Sequence, residues 1–185
     1  MENILRITTA LAKTVCEAYL GPDAVAVDAT CGNGHDTLWL AQRCRKVYAF
    51  DVQPEAVSAT CARLREHGFD HAEVICDSHE ALLQYVDTPV DLVLFNLGYL
   101  PGGDKQITTC GETTLAALNA ALSLLKVNGL ISVVLYWGHP EGKKEREAVL
   151  HWAASLDPGQ YHCVRTDMLN QGNCPPEVLW ITRKR

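Results

Sequence analysis

The stretch VDATCGNGHDT, Val27 to Thr37, decides the reading of this chain. An apolar run, AVAVD (24–28), ends on an acidic residue; two spaced glycines, Gly32 and Gly34, follow, and helical composition begins near His35. Glycines at such a strand-to-helix turn let the backbone bend sharply and approach a ligand with no Cβ in the way. The stretch therefore suits either a nucleotide-derived ligand or a tight turn alone, and the surrounding chain has to arbitrate. A dinucleotide-type GxGxxG would need a third glycine at 37, where Thr37 stands.

Outward from this turn, KVYAFD (46–51), AEVIC (72–76), VDLVLFN (90–96) and GLISVVLYW (129–137) read as further short strands. Their apolar residues are nearly continuous, as expected of parallel strands buried on both faces rather than wetted on one. Segments 35–44, 54–67, 78–86, 112–125 and 141–155 have helical composition, and Pro54 suits a first helical turn. At the start, Ile4, Leu5, Ile7, Leu11, Val15, Ala18 and Tyr19 recur at helical spacing until Gly21-Pro22, which predicts an extra N-terminal amphipathic helix. Strand and helix alternate, the pattern of an α/β doubly wound sheet. Two last runs, YHCVRTDML (161–169) and PEVLWITRK (176–184), are joined only by NQGNCP (170–175). So short a connection predicts an antiparallel hairpin that completes a mainly parallel seven-stranded sheet.

A chain of 185 residues suits one domain, 1–185, able to bury roughly 70% of its unfolded surface, so any site shares that domain. The net charge of −6 argues against non-specific coating of nucleic acid but leaves room for a basic patch that holds a folded RNA. The longest mostly apolar run, LISVVLYW, is interrupted by Ser132 and falls short of a bilayer span, so no membrane segment is expected. Glu2, Arg6, Lys13 and Glu17 break up the N-terminal apolar residues, which leaves no signal-peptide core and makes a cytoplasmic protein the simplest expectation. The eight cysteines, at 16, 31, 44, 61, 76, 110, 163 and 174, form no close CxxC pair. They read as free thiols acting as small hydrophobes, and no metal site is expected.

In a parallel sheet the binding crevice lies beyond the C-terminal ends of the strands. Asp51 ends the strand after the glycine turn, where a carboxylate can accept hydrogen bonds from both hydroxyls of a ribose. The third strand ends in CDSHE: Asp77 and Ser78 either read a base or cap the next helix. The fourth ends in FNLGYLPGGDK (95–105), where NLGY resembles the Asn, two small turn residues and aromatic of nitrogen-directed methyltransferases; the resemblance implies that the Asn96 oxygen accepts from a target amine and Tyr99 packs on a base, against a glycine-rich turn as the alternative. The same topology brings Lys105, the run Lys143 to Arg146 and the turn 170–175 to the crevice; it sends Arg43, Arg45, Lys46 and Arg183–Arg185 to the opposite end. A solvated helix face remains the alternative for the 143–146 run. His35, His79 and His139 lie near strand ends, as proton acceptors or as structural hydrogen-bonders.

Taken together, VDATCGNGHDT, NLGYLPGGDK, YWGHPEGKKE and NQGNCPPEVLWI resemble the small class I methyltransferases grouped as rRNA methylases, over about residues 3–183. The first two motifs carry the resemblance; the last two are looser, with Cys174 and Trp180 as local variation. Thr30 departs from the family's broader GxGxG pattern at its first glycine, and Leu97 and Gly98 replace the prolines usual after the Asn. The resemblance implies a Rossmann-like fold and S-adenosylmethionine as cofactor, held by Asp28, Thr30, Gly32, Asn33, Gly34, Asp36, Asp51, Gln53, Asp77, Ser78 and His79. Asn96 and Tyr99 become the catalytic candidates, and Lys105, His139, Lys143, Lys144 and Asn173 the substrate-binding ones. Characterised members methylate the aminomethyl nitrogen of 5-aminomethyl-2-thiouridine at the tRNA wobble position, which implies a tRNA anticodon stem-loop as partner. An rRNA or small-molecule amine substrate, a non-catalytic nucleotide-binding module and a homodimer stay open.

Overall fold

The structure is a computed structural model that describes residues 4–98 and 109–185. Its centre is a seven-stranded sheet of order β3-β2-β1-β4-β5-β7-β6. The strands are β1 Val25–Asp28, β2 Lys46–Asp51, β3 Ala72–Cys76, β4 Val90–Leu97, β5 Leu125–Leu135, β6 Tyr161–Thr166 and β7 Glu177–Arg183. The first five pair in parallel, and β7 runs antiparallel between β5 and β6, so the predicted terminal hairpin is present. The order reverses between β1 and β4, which places a crevice at the ends of those two strands.

Because side chains alternate along a strand, each central strand feeds two cores. Val25, Val27, Val93, Phe95, Ile131 and Val133 face α4 (Leu82–Tyr85), α5 (Gly111–Leu124) and α6 (Pro140–Ser155). Ala24, Ala26, Leu92, Leu94, Leu130 and Val134 face α1 (Thr8–Cys16), α2 (His35–Ala41) and α3 (Pro54–Glu66). The result is three layers, helix, sheet and helix. Asn96, two positions beyond Leu94, falls on the α1–α3 side.

Three expectations need correction. β3 is not buried on both faces: only Ile75 is buried, because the strand lies at a sheet edge, as does β6, which runs half-buried to exposed. The N-terminal helix is shorter than its periodicity suggests, with 3-10 turns at Ile4–Arg6 and Glu17–Tyr19 flanking α1. Ile7 is extended (φ −127°, ψ 112°), which separates the first turn from α1 and leaves Ile4, Leu5 and Ile7 exposed. β5 begins at Leu125, directly after α5, and a bulge near Asn128 (φ 64°) shifts its register on β4.

Candidate active site

The glycine turn after β1 is built from long-range bonds. Ala29 N–H donates to the Leu94 carbonyl and Cys31 N–H to that of Phe50, each at 2.8 Å, which suspends the turn between β4 and β2. Gly32 and Gly34 adopt φ of 51° and 77°, values that L side chains resist. A Cβ on Gly34 would also lie 2.8 Å from the Thr60 Cα of α3, so that glycine is required by packing as well as by conformation. Asp28 is fully buried, accepting from the Thr37 hydroxyl at 2.6 Å and from Thr30 N–H at 3.3 Å. Burial first, and then the nearby Asp36 charge, push its carboxyl up to about 7. Asp28 thus shapes the turn from within.

Asp51 is placed differently. Its half-buried carboxylate accepts Gly32 N–H through Oδ2 and Gln53 N–H through Oδ1, each at 3.0 Å. A carboxylate oxygen has capacity for two acceptor bonds, so each retains one toward a hydroxyl. Asn33 is half-buried on the same turn, and its carbonyl accepts from Arg63 Nε at 2.8 Å. At the end of β3, Asp77 Oδ1 accepts from Ser78 N–H at 2.7 Å and Oδ2 from the Tyr85 hydroxyl at 2.8 Å. Ser78 is the helix cap, its Oγ accepting from Glu80 N–H at 3.3 Å. The donor and acceptor set along the ends of β1, β2 and β3 therefore fits a ribosyl adenine group.

At the end of β4, three side chains form a chain of bonds. Asn96 Nδ2 donates to Asp36 Oδ2 at 2.9 Å, and Lys13 Nζ pairs with Asp36 Oδ1 at 2.6 Å. Since the carboxylate takes the amide nitrogen, Asn96 Oδ1 is turned away from Asp36. Asn96 N–H donates to Thr30 Oγ1 at 2.7 Å, so Thr30 ties the glycine turn to the Asn-bearing strand. A small cavity of about 20 Å³ opens here, lined in part by Thr9, Lys13, Asp36, Asn96 and Ser132. Tyr136, just past β5, stands nearby: burial and then the Asp36 charge raise its phenol.

The histidines are occupied elsewhere. His79 is buried, with Nδ1 3.3 Å from the Ala29 carbonyl and its ring edge-on to Phe95; burial lowers its proton affinity. His139 caps α6, its Nδ1 accepting from Gly142 N–H at 3.1 Å. His35 is exposed at the start of α2, with Nε2 3.3 Å from Arg63 Nη2. Of the basic run on α6, Lys143 is exposed and Lys144 is exposed and paired with Glu141 at 2.8 Å. Arg146 turns inward, gripping Glu177 through two bonds of 2.8 and 3.0 Å while stacking on Trp137 at 4.8 Å. Asn173 is exposed on the hairpin turn. Tyr99 and Lys105 lie outside the described residues.

Sequence reasoning missed Lys13 and Tyr136 as parts of this end of the molecule, and missed the burial of Glu145. Glu145 is buried and accepts from the Thr109 and Thr114 hydroxyls at 2.7 and 2.6 Å, although it sits in a run that reads as a charged surface. A signal for Lys13 was present: it shares the inward stripe of α1 with Thr9, Ala12 and Cys16, where a cation needs a partner.

Residues 47–182 match the family described as "Putative rRNA methylase". A chloroplastic tRNA (mnm(5)s(2)U34)-methyltransferase of Arabidopsis thaliana is 37% identical over 95% of this chain and 69% of its own length. A Clostridium thermocellum protein described in the same words as the family superposes with a TM-score of 0.94 at 38% identity, covering 96% of this chain and 97% of that one. A Streptococcus mutans protein whose crystal structure holds SAH gives 0.89 at 33% identity, covering 99% of both chains. With the Rossmann-like sheet and the crevice described above, these matches establish that the chain belongs to the rRNA methylase family and is an S-adenosylmethionine-dependent methyltransferase.

Proposed function

We propose that this chain methylates the primary amine of 5-aminomethyl-2-thiouridine at the tRNA wobble position, giving the 5-methylaminomethyl nucleoside. The observation that carries the reading is the Asn96 amide, whose nitrogen is held by Asp36 so that its oxygen is left to accept from an incoming amine. The name of the Arabidopsis relative supports the same substrate.

When bound, S-adenosylmethionine would supply a methyl carbon, activated by its sulfonium, for the lone pair of the substrate amine. The chain's work is then alignment and exclusion of water. In this reading Asp51 accepts the ribose hydroxyls and Asp77 accepts from the adenine amino group. Gly32 and Asn33 present backbone to the cofactor, while Asp28, Thr30, Gly34 and Gln53 hold the turn in shape. Tyr99 packs on the uracil. The anticodon stem-loop lies across Lys143, Lys144, Asn173 and Lys105, in the cytoplasm, on the one domain that also binds the cofactor. His79 supports the turn through the Ala29 carbonyl, and His139 caps α6 beside the substrate-facing run.

Asn96→Ala separates binding from chemistry. Cofactor affinity by calorimetry should stay near wild type, while single-turnover methylation of an anticodon stem-loop bearing the aminomethyl uridine falls roughly 10²-fold, the scale of misplacing a reacting atom. Normal turnover would reduce Asn96 to a turn residue. A wild-type protein that methylates ribosomal RNA or free amines, but not the stem-loop, would replace the substrate.

A further inference from the structure

An aliphatic amine is mostly protonated near neutral pH and cannot attack until its nitrogen sheds that proton. The three histidines near strand ends are poorly suited to take it: His79 is buried against the Ala29 carbonyl, His139 uses Nδ1 as a cap, and His35 is exposed beside Arg63. What stands beside Asn96 is a carboxylate, Asp36. A lone carboxylate there would work against the reaction, because a neighbouring negative charge stabilises the ammonium form of the substrate. Lys13 removes that difficulty. Its ammonium lies 2.6 Å from Asp36 Oδ1, both side chains being half-buried, and it is delivered from α1, an element outside the alternating strands and helices.

We infer that Lys13 is a positioning residue which, by neutralising Asp36, keeps the pocket beside Asn96 from holding the substrate as an ammonium, so that the amine binds and reacts as the neutral base. This rests on the amine-directed reading above. The proton lost by the amine goes to solvent water, and its bonding pair becomes the lone pair used in methyl transfer.

Other charged and titratable groups face the pair among the described residues. From α1 comes the Cys16 thiol, pushed up to about 12 mainly by burial; from β1 comes Asp28; from the end of β5 comes Tyr136. On α2 the Trp39 ring lies 5.3 Å from Lys13 Nζ and also carries Arg43 at 5.0 Å, while Glu177 of β7 is already taken by Arg146. Asp28 titrates close enough to neutrality to distort a rate profile. The decisive measurement therefore reads the amine itself.

The probe is an anticodon stem-loop with a ¹³C-labelled aminomethyl carbon, bound to protein loaded with S-adenosylhomocysteine and titrated by NMR, so that no turnover intervenes. In wild type the bound amine should titrate below the free stem-loop. Lys13→Met should raise the bound value by about one unit or more. Lys13→Arg should keep it near wild type, and Lys13→Met with Asp36→Asn should bring it back down. Asp36→Asn alone should shift it the other way, which keeps a test available if Lys13→Met fails to fold. The acid limb of the single-turnover rate should move with the NMR value. Failure of wild type to bind the stem-loop overturns the substrate reading. Binding with an amine value that does not respond to Lys13 or Asp36 overturns this inference alone.

Discussion

The two ends of the sheet both carry buried or half-buried carboxylates, yet they use them differently. At the N-terminal end a hollow of about 510 Å³ is lined by residues 18–24, Asp91 and 126–129. There Asp91 accepts Val25 N–H at 2.9 Å and takes the Lys126 ammonium on both oxygens, at 3.0 and 2.8 Å, so its bonds join neighbouring strands. At the C-terminal end the cavity beside Asn96 is only about 20 Å³. Its carboxylates instead hold connecting segments: Asp51 the glycine turn and the start of α3, Asp36 an amide at the tip of β4. Volume does not locate the chemistry. The small end is where the parallel topology gathers loops from four strands, and there the carboxylates bind the segments that such a crevice presents.

If that contrast is right, the active end should tax stability while the far end supports it. Asp28 makes the largest case. Its folded carboxyl is raised from 3.8 to about 7, so between those pH values the folded chain keeps a proton that the unfolded chain has lost. Folded binding more protons means stability falls as pH rises through that window, by up to ~1.4 kcal/mol per pH unit, and is level outside it. Asp28→Asn should remove this slope, leaving the variant at least as stable as wild type at pH 8. Urea midpoints from pH 4.5 to 8 for both proteins give the comparison, and parallel curves would contradict it.

Asp51 comes next. Asp51→Ala should weaken S-adenosylmethionine binding by roughly 1.5 to 3 kcal/mol, the worth of hydrogen bonds to a charged group. Calorimetry on the folded variant reads it, and unchanged affinity would remove Asp51 from the cofactor site.

Much of this architecture was legible because period and turn chemistry act locally. The apolar runs located five parallel strands, and the six-residue link 170–175 forced the hairpin. Asp51 and Asn96 were readable as strand-end residues. The remainder depends on contacts that no local pattern carries. Lys13 and Asp36 are 23 positions apart and meet only because α1 folds over the α2 side of the sheet. Arg146 reads as part of a solvated or RNA-facing run, yet Glu177 lies 31 residues downstream on β7 and draws it inward. β3 is apolar enough for a buried strand; strand order, which is a tertiary property, leaves it at an edge.

The smallest predicted effect tests the other side of the contrast. Asp91 is half-buried and its three bonds reach β1 and Lys126 of β5, far from the turn after β1. Removing it frees the N–H of Val25, a residue only 1% exposed, and leaves Lys126 without its counter-charge. Lys126 is 41% exposed, so water screens most of the lost ion pair, and the backbone bond dominates. Asp91→Ala should therefore cost about 1 kcal/mol of stability. Cofactor affinity and single-turnover methylation, measured well below the unfolding transition, should match wild type. A variant that stays folded but loses cofactor binding or turnover would show that the large hollow takes part in function, and the assignment of the two ends would have to be reversed.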